Sequence, residues 1–183
     1  MSAIPKRDRH HVHVKVTVRD AESRDDLDEV RQLFREFLVW HRARQAHNAD
    51  LLAAYFDVDA WEVELDGLPD AYAATEGGAL LLARLGGAPV GCVALRQHDD
   101  GSCEMKRMYV DDTGRGQGVG RLLGEAVVER ARDLGYSAMY LDTSVEQHEA
   151  IALYRGLGFR PVEPYYDVPG ELRDWLVFFR REL

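Results

Sequence analysis

Three glycines fall within five residues, Gly116, Gly118 and Gly120, inside the stretch RGQGVG that runs from Arg115 to Gly120 between a strand-like apolar run and a helix-like one. A glycine-rich turn leading into a helix leaves backbone N–H groups bare, and the helix dipole adds partial positive charge, so such a turn favours a phosphate. The alternative is a tight connection in which the glycines only serve positive φ angles. Arg115 and Arg121 add cations at the loop and in the first helical turn. A triphosphate loop of the Walker type is excluded, because Gly120 is followed by Arg121 and Leu122 rather than by Lys and Ser or Thr. A dinucleotide fingerprint fails too: counted from Gly116 the sixth position is Arg121, and from Gly118 it is Leu123.

Other reactive side chains read as structural. Cys92 and Cys103 lie in apolar strand-like runs and fit small core residues of a reducing compartment better than a disulfide or a catalytic thiol. His10, His11 and His13 have no carboxylate or cysteine at ligand spacing, so no metal is expected. A net charge of −9 opposes a polyanion-binding role, which needs a basic face. With no apolar run of membrane-spanning length and no secretory signal pattern, the expectation is a cytoplasmic protein without nucleic-acid or membrane partners.

The elements that would position the glycine turn follow from periodicity. Residues 1–11 are polar and expected to be a flexible terminus, and 12–183 a single domain. Val12, Val14, Val16 and Val18 alternate with polar residues as a strand with one buried face. Ser23 is placed to cap a helix carrying Leu27, Val30, Leu33, Phe34, Phe37, Leu38 and Trp40, and a second helical stretch lies within 49–65. Strands at 79–85, 89–96 and 102–110 form an antiparallel meander with turns at Gly86-Gly87 and Asp99-Asp100-Gly101. A helix runs from Gly118 to a stop at Gly135, followed by the strand AMYLDT, the helix HEAIALYRGLG and a C-terminal strand in RDWLVFFRREL.

With Arg-x-x-Gly-x-Gly at 115–120, EAIALYRGLGF at 149–159 and VTVRDAESRDDLDEVRQLF near the start, the chain resembles the GNAT superfamily of N-acetyltransferases over almost its whole length. The resemblance implies an α+β, three-layer acyl-CoA N-acyltransferase fold, a mixed, mostly antiparallel sheet with helices on both faces. It also implies acetyl-CoA as co-substrate. Donor contacts then fall to Arg115, Gly116, Gln117, Gly118, Val119 and Gly120 for the pyrophosphate, and to Met108 and Val110 for the pantetheine arm and thioester carbonyl. Gln147 stands where many members carry asparagine and keeps both amide functions.

The same resemblance makes Tyr154 a general acid for the departing thiolate, the alternative being that it only packs with Ile151 and Leu157. It makes Glu104 a candidate base if partial burial raises its pKa, against a solvated carboxylate paired with Lys106 or Arg107. His148 is a further candidate, with a capping or exposed role as its alternative. Trp40, His41, Tyr72, Tyr165 and Tyr166 are candidates to line an acceptor pocket, and Asp57, Asp59, Glu62 and Glu64 to attract a cationic amine. The expected activity is acetyl transfer to the primary amine of a small molecule. The rival readings are a non-catalytic acyl-CoA sensor and a protein-lysine or N-terminal acetyltransferase. An exposed edge at DWLVFF suggests a homodimer.

Overall fold

The first helix starts where its cap says it should. In the computed structural model, which describes residues 15–98 and 100–183, the Ser23 hydroxyl accepts the Asp26 N–H at 3.1 Å and the Asp26 carboxylate accepts the Ser23 N–H at 3.2 Å. This reciprocal box satisfies two otherwise bare amides and opens α1 (Arg24–Arg44). Val30, Leu33, Phe34, Phe37 and Leu38 are buried at intervals of three and four. The expected flexible segment and His10, His11 and His13 lie outside the described residues, as do Val12 and Val14. The strand they were to begin is seen as β1 (Val16–Asp20).

The helical stretch after α1 divides into α2 (Ala49–Tyr55) and α3 (Val58–Asp66), because Asp57 stops one and caps the other by accepting the N–H groups of Asp59 and Ala60. The meander is β2 (Ala79–Leu85), β3 (Ala88–Gln97) and β4 (Cys103–Val110). Its first turn uses Gly86 and Gly87 at φ 60° and 94°, the left-handed pair that a two-residue hairpin needs. Then come α4 (Val119–Asp133), β5 (Ala138–Ser144), α5 (His148–Gly156), β6 (Arg160–Val162) and β7 (Leu176–Glu182).

The strands form one sheet in the order β1-β2-β3-β4-β5-β7-β6. Helices α1 to α3 cover one face around Phe34, Trp61, Leu65 and Phe178. Helices α4 and α5 cover the other around Leu123, Val127, Met139 and Phe179. One expectation is corrected, and one strand was not anticipated. The C-terminal strand is not an edge: β7 pairs with β5 over its whole length and with β6 at Phe178–Arg180, so the pairing argument for a dimer falls away. The short β6 carries Pro161 and only three residues, too few for a periodic signal.

The feature that matters for a site is at the centre. β4 and β5 are parallel and pair only at Cys103 with Met139 and Glu104 with Tyr140. Beyond these residues the two strands run without mutual pairing, and the sheet opens into a cleft.

Candidate active site

A cavity of about 510 Å³ occupies that cleft. Met108 and Val110 line one wall, Asp142 and Ser144 the other, and Arg115, Gly116, Gly118, Val119 and Gly120 its rim. The expected donor residues are therefore gathered at one place, except Gln117, which does not line the cavity. Gly116 and Gly118 have φ of 75° and 77°, and a side chain on either would meet nothing within 4 Å. Packing thus does not require the glycines, while left-handed backbone and open approach do. The first hydrogen bond of α4 runs from the Leu122 N–H to the Gly118 carbonyl, which leaves the amides of Val119, Gly120 and Arg121 without helical acceptors, while those of Arg115 and Gln117 are taken by the Asp111 and Gly114 carbonyls. Arg115 stacks on Trp40 at 4.6 Å, and Arg44 lies over Trp40 at 5.2 Å while bonding Glu149 at 2.7 Å, tying the end of α1 to α5 beside the cavity.

Tyr154 and Gln147 reach the same space from α5 and its N-terminus. Tyr154 is buried against Phe159 and Phe179 and lines the cavity. Burial, and then the Asp142 charge, raises its pKa above the usual phenol value, so it stays protonated at neutral pH. The side-chain nitrogen of Gln147 is buried without a hydrogen-bond partner, an amide donor left over for a ligand in a cavity that it lines. These donors, with the open glycine turn and the nearby guanidinium groups, fit a phosphate-bearing amide chain such as coenzyme A.

A second cavity, of about 600 Å³, shares Tyr55, Lys106 and Arg107 with the first. A bulge in β4 shapes it. Ala94 pairs with Lys106 but Cys92 with Tyr109, and Arg107 sits at the extra position with φ 56°, a left-handed conformation unusual for a side-chain-bearing residue. Strict alternation would send Arg107 with Met105 toward α4. Instead it joins Lys106 on the opposite face, lies over Trp61 at 4.4 Å and donates to both Glu64 oxygens at 2.8 and 2.6 Å.

Glu104 lines the second cavity, not the first. Burial by itself pushes its carboxyl up, but Lys106, Arg96 and the Tyr165 hydroxyl outweigh it and hold the pKa at about 2 instead of 4.5. The raised pKa that a base role required is reversed. It is also buried and paired with Arg96 and Lys106 rather than solvated or paired with Arg107. Linkage makes this testable: a folded pKa below the unfolded one adds stability that is fully present above pH 4.5 and is lost as pH falls toward 2. The amount is about 3 kcal/mol. We expect the melting temperature to drop steeply between those pH values, and by less in Glu104→Gln, which lacks that titration. Equal acid sensitivity in the two proteins would contradict it.

Asp142, not singled out in the sequence, joins the two cavities. It lines the first, accepts the Tyr55 hydroxyl at 2.7 Å and lies 3.3 Å from the Tyr165 hydroxyl, which donates to Glu104 at 2.7 Å. Its only sequence signal is its register in AMYLDT, where it faces away from Leu141.

Of the expected acceptor residues, Trp40 and His41 line the first cavity and Tyr165 and Tyr166 the second. Burial lowers the His41 pKa to about 4, so it is neutral. Tyr72 lines neither cavity; it is a core residue bonded to Glu64. Asp57, Asp59 and Glu62 are exposed on α3 or its cap, and Glu64 is engaged by Arg107, so this acidic set does not gather around a cavity. His148 is exposed at the start of α5. Both cysteines are buried, with burial pushing the Cys103 thiol up to about 12 and raising Cys92 further, so both remain protonated core residues. Among the described residues, no group of His, Cys, Asp and Glu is arranged to hold a metal, and no helix is long and apolar enough to cross a membrane.

Comparison with known proteins gives matches on sequence and on shape. The profile of the acetyltransferase (GNAT) family matches residues 29–159. An uncharacterized N-acetyltransferase of Schizosaccharomyces pombe is 36% identical over 145 residues, covering 79% of this chain and 82% of that one. The N-acetylaspartate synthetase of Danio rerio is 34% identical over 75% of this chain, which spans 50% of that longer protein. An N-acetyltransferase of Thermoplasma acidophilum, solved in complex with coenzyme A, superposes with a TM-score of 0.68 at 14% identity, covering 92% of this chain and 99% of that one.

Proposed function

The chain belongs to the acetyltransferase (GNAT) family, and from that premise we propose that it transfers an acetyl group from acetyl-CoA to the primary amine of a small molecule. The observation that carries the reading is the cleft between β4 and β5. It has an open glycine turn at one end and a buried, protonated tyrosine with an unpaired amide donor inside. The complex of the Thermoplasma relative with coenzyme A supports the donor. The name of the Danio relative, a synthetase of N-acetylaspartate, supports a small acceptor.

Acetyl-CoA supplies the acetyl group already activated as a thioester. The chain's own task is to orient the partners and move two protons. The amides of Gly116, Gly118, Val119 and Gly120, with Arg115, hold the pyrophosphate, and the end of β4 aligns the pantetheine arm. An amine acceptor enters from the second cavity and meets Asp142, which takes the proton that nitrogen sheds as its bond to the acetyl carbon forms. Tyr154 gives its hydroxyl proton to the sulfur as the carbon–sulfur bond breaks, and water returns it. Glu104, held ionised by two cations, sets the shape and charge of the acceptor side.

Thermal unfolding with acetyl-CoA, against ATP and NAD, tests the donor. At ~100-fold over its Kd a ligand stabilises by about 2.7 kcal/mol, which for a chain of this size is roughly 5–10 °C. A shift with acetyl-CoA alone is expected. Equal shifts with ATP, or none with any CoA ester, would remove the reading.

A further inference from the structure

Among the described residues, the cations that line the second cavity outnumber the one carboxylate that lines it. Arg96 and Lys106 reach the two oxygens of a single carboxylate: Nη2 of Arg96 lies 2.7 Å from Oε2 of Glu104, and Nζ of Lys106 lies 3.2 Å from Oε1. Arg107, by contrast, is matched one to one by Glu64. Among the described residues, two cations facing the cavity therefore share one anion, in a chain whose net charge is −9. Arg96 has five N–H donors and Lys106 three, and among the described residues Glu104 is the carboxylate that each engages. The Arg96 side chain is 45% exposed and Glu104 only 2%, so the buried carboxylate anchors a guanidinium that is itself open to solvent, with Lys106 held beside it at 17% exposure.

Resting on the acetyltransferase reading, the geometry points to an amino-acid-like acceptor, whose carboxylate is gripped by Arg96 and Lys106 and whose amine is delivered to Asp142. The Tyr165 hydroxyl sets the spacing, since one phenol oxygen is 2.7 Å from Glu104 and 3.3 Å from Asp142. Anion and amine in the acceptor are then only a few bonds apart. A planar carboxylate suits the fork of a guanidinium. A polyamine or a lysine-rich peptide would bring further positive charge against Arg96 and Lys106, which is unfavourable on both binding and specificity grounds. Because Glu104 already holds both cations in place, little side-chain freedom is lost when the acceptor binds.

The test measures CoA release from acetyl-CoA by the full chain with the standard L-amino acids and β-alanine, each against its own carboxamide. Amidation leaves the amine but removes the negative charge, and it lowers the amine pKa toward ~8, which favours the amide chemically. A preference for the acid therefore reports binding. At least one acid is expected to exceed its amide in kcat/KM by about thirtyfold, the scale of a charged hydrogen-bonded contact. Arg96→Ala should cut that ratio about tenfold through KM of the acid, with partial recovery in Arg96→Lys; Lys106→Gln should act in the same direction. If acetyl-CoA still raises the melting temperature but amides serve as well as acids, or no acid is acetylated, the carboxylate inference is overturned and the acetyltransferase reading stands. If acetyl-CoA gives no melting shift, both fall.

Discussion

Tyr154→Phe is expected to lower kcat about a hundredfold, at the lower end of what a positioned proton donor contributes, while acetyl-CoA binding measured by calorimetry changes little. Tyr154 lines a cavity that α1, α2, the glycine turn and the β4–β5 cleft also wall, and the ring remains packed against Phe159 and Phe179 in either form. Removing one oxygen therefore deletes a proton, not a packing contact. Because burial and the Asp142 charge keep the phenol protonated through neutral pH, the wild-type enzyme should hold a full complement of the acid there. The loss should fall on kcat and kcat/KM alike, the mark of an interaction made in the transition state. A variant with near-normal kcat would mean that the sulfur leaves unaided and that Tyr154 only packs.

The second large effect is expected at Asp142. Asp142→Asn should reduce kcat/KM by roughly a hundredfold or more, the range for a lost general base, with the melting temperature nearly unchanged. The amide oxygen can still accept the Tyr55 hydroxyl that one carboxylate oxygen now receives at 2.7 Å, and the amide NH2 in place of the other oxygen can donate to the Tyr165 hydroxyl oxygen 3.3 Å away, whose own proton goes to Glu104, so the local structure has its partners. Glu104→Gln makes the contrast. It leaves Arg96 and Lys106 without their shared counterion, and its main cost should appear as stability and as a weaker hold on those two side chains. If Glu104→Gln lost the rate and Asp142→Asn kept it, the proton acceptor would be Glu104 after all and the assignment made above would be wrong.

Local patterns carried much of this protein. The Ser23 cap, the alternating face of β1, the hairpin glycines and the stop of α4 at Gly135 are decided by neighbours a few residues apart, so they are legible without a fold. The glycine turn belongs with them: its spacing excludes two other nucleotide loops, and Gly116 and Gly118 stand in open space. The residue sets that joined distant segments were less legible. Tyr72 looked like a pocket aromatic and is core; the acidic run on α3 looked like a lure for amines and is solvent-facing, apart from Glu64.

What the sequence by itself determined was the order of the elements other than β6, the resemblance to an acetyltransferase and the place of the glycine turn, because periodicity and loop chemistry are short-range properties. Only the tertiary structure decided the charge state of Glu104, since burial pushes a carboxyl one way and Arg96 and Lys106 push it the other, and their balance depends on which side chains meet. It alone brought Asp142 between the cavities. It also turned Arg107 to the face of Lys106, because a single extra residue in β4 reverses the side that period-two reading predicts.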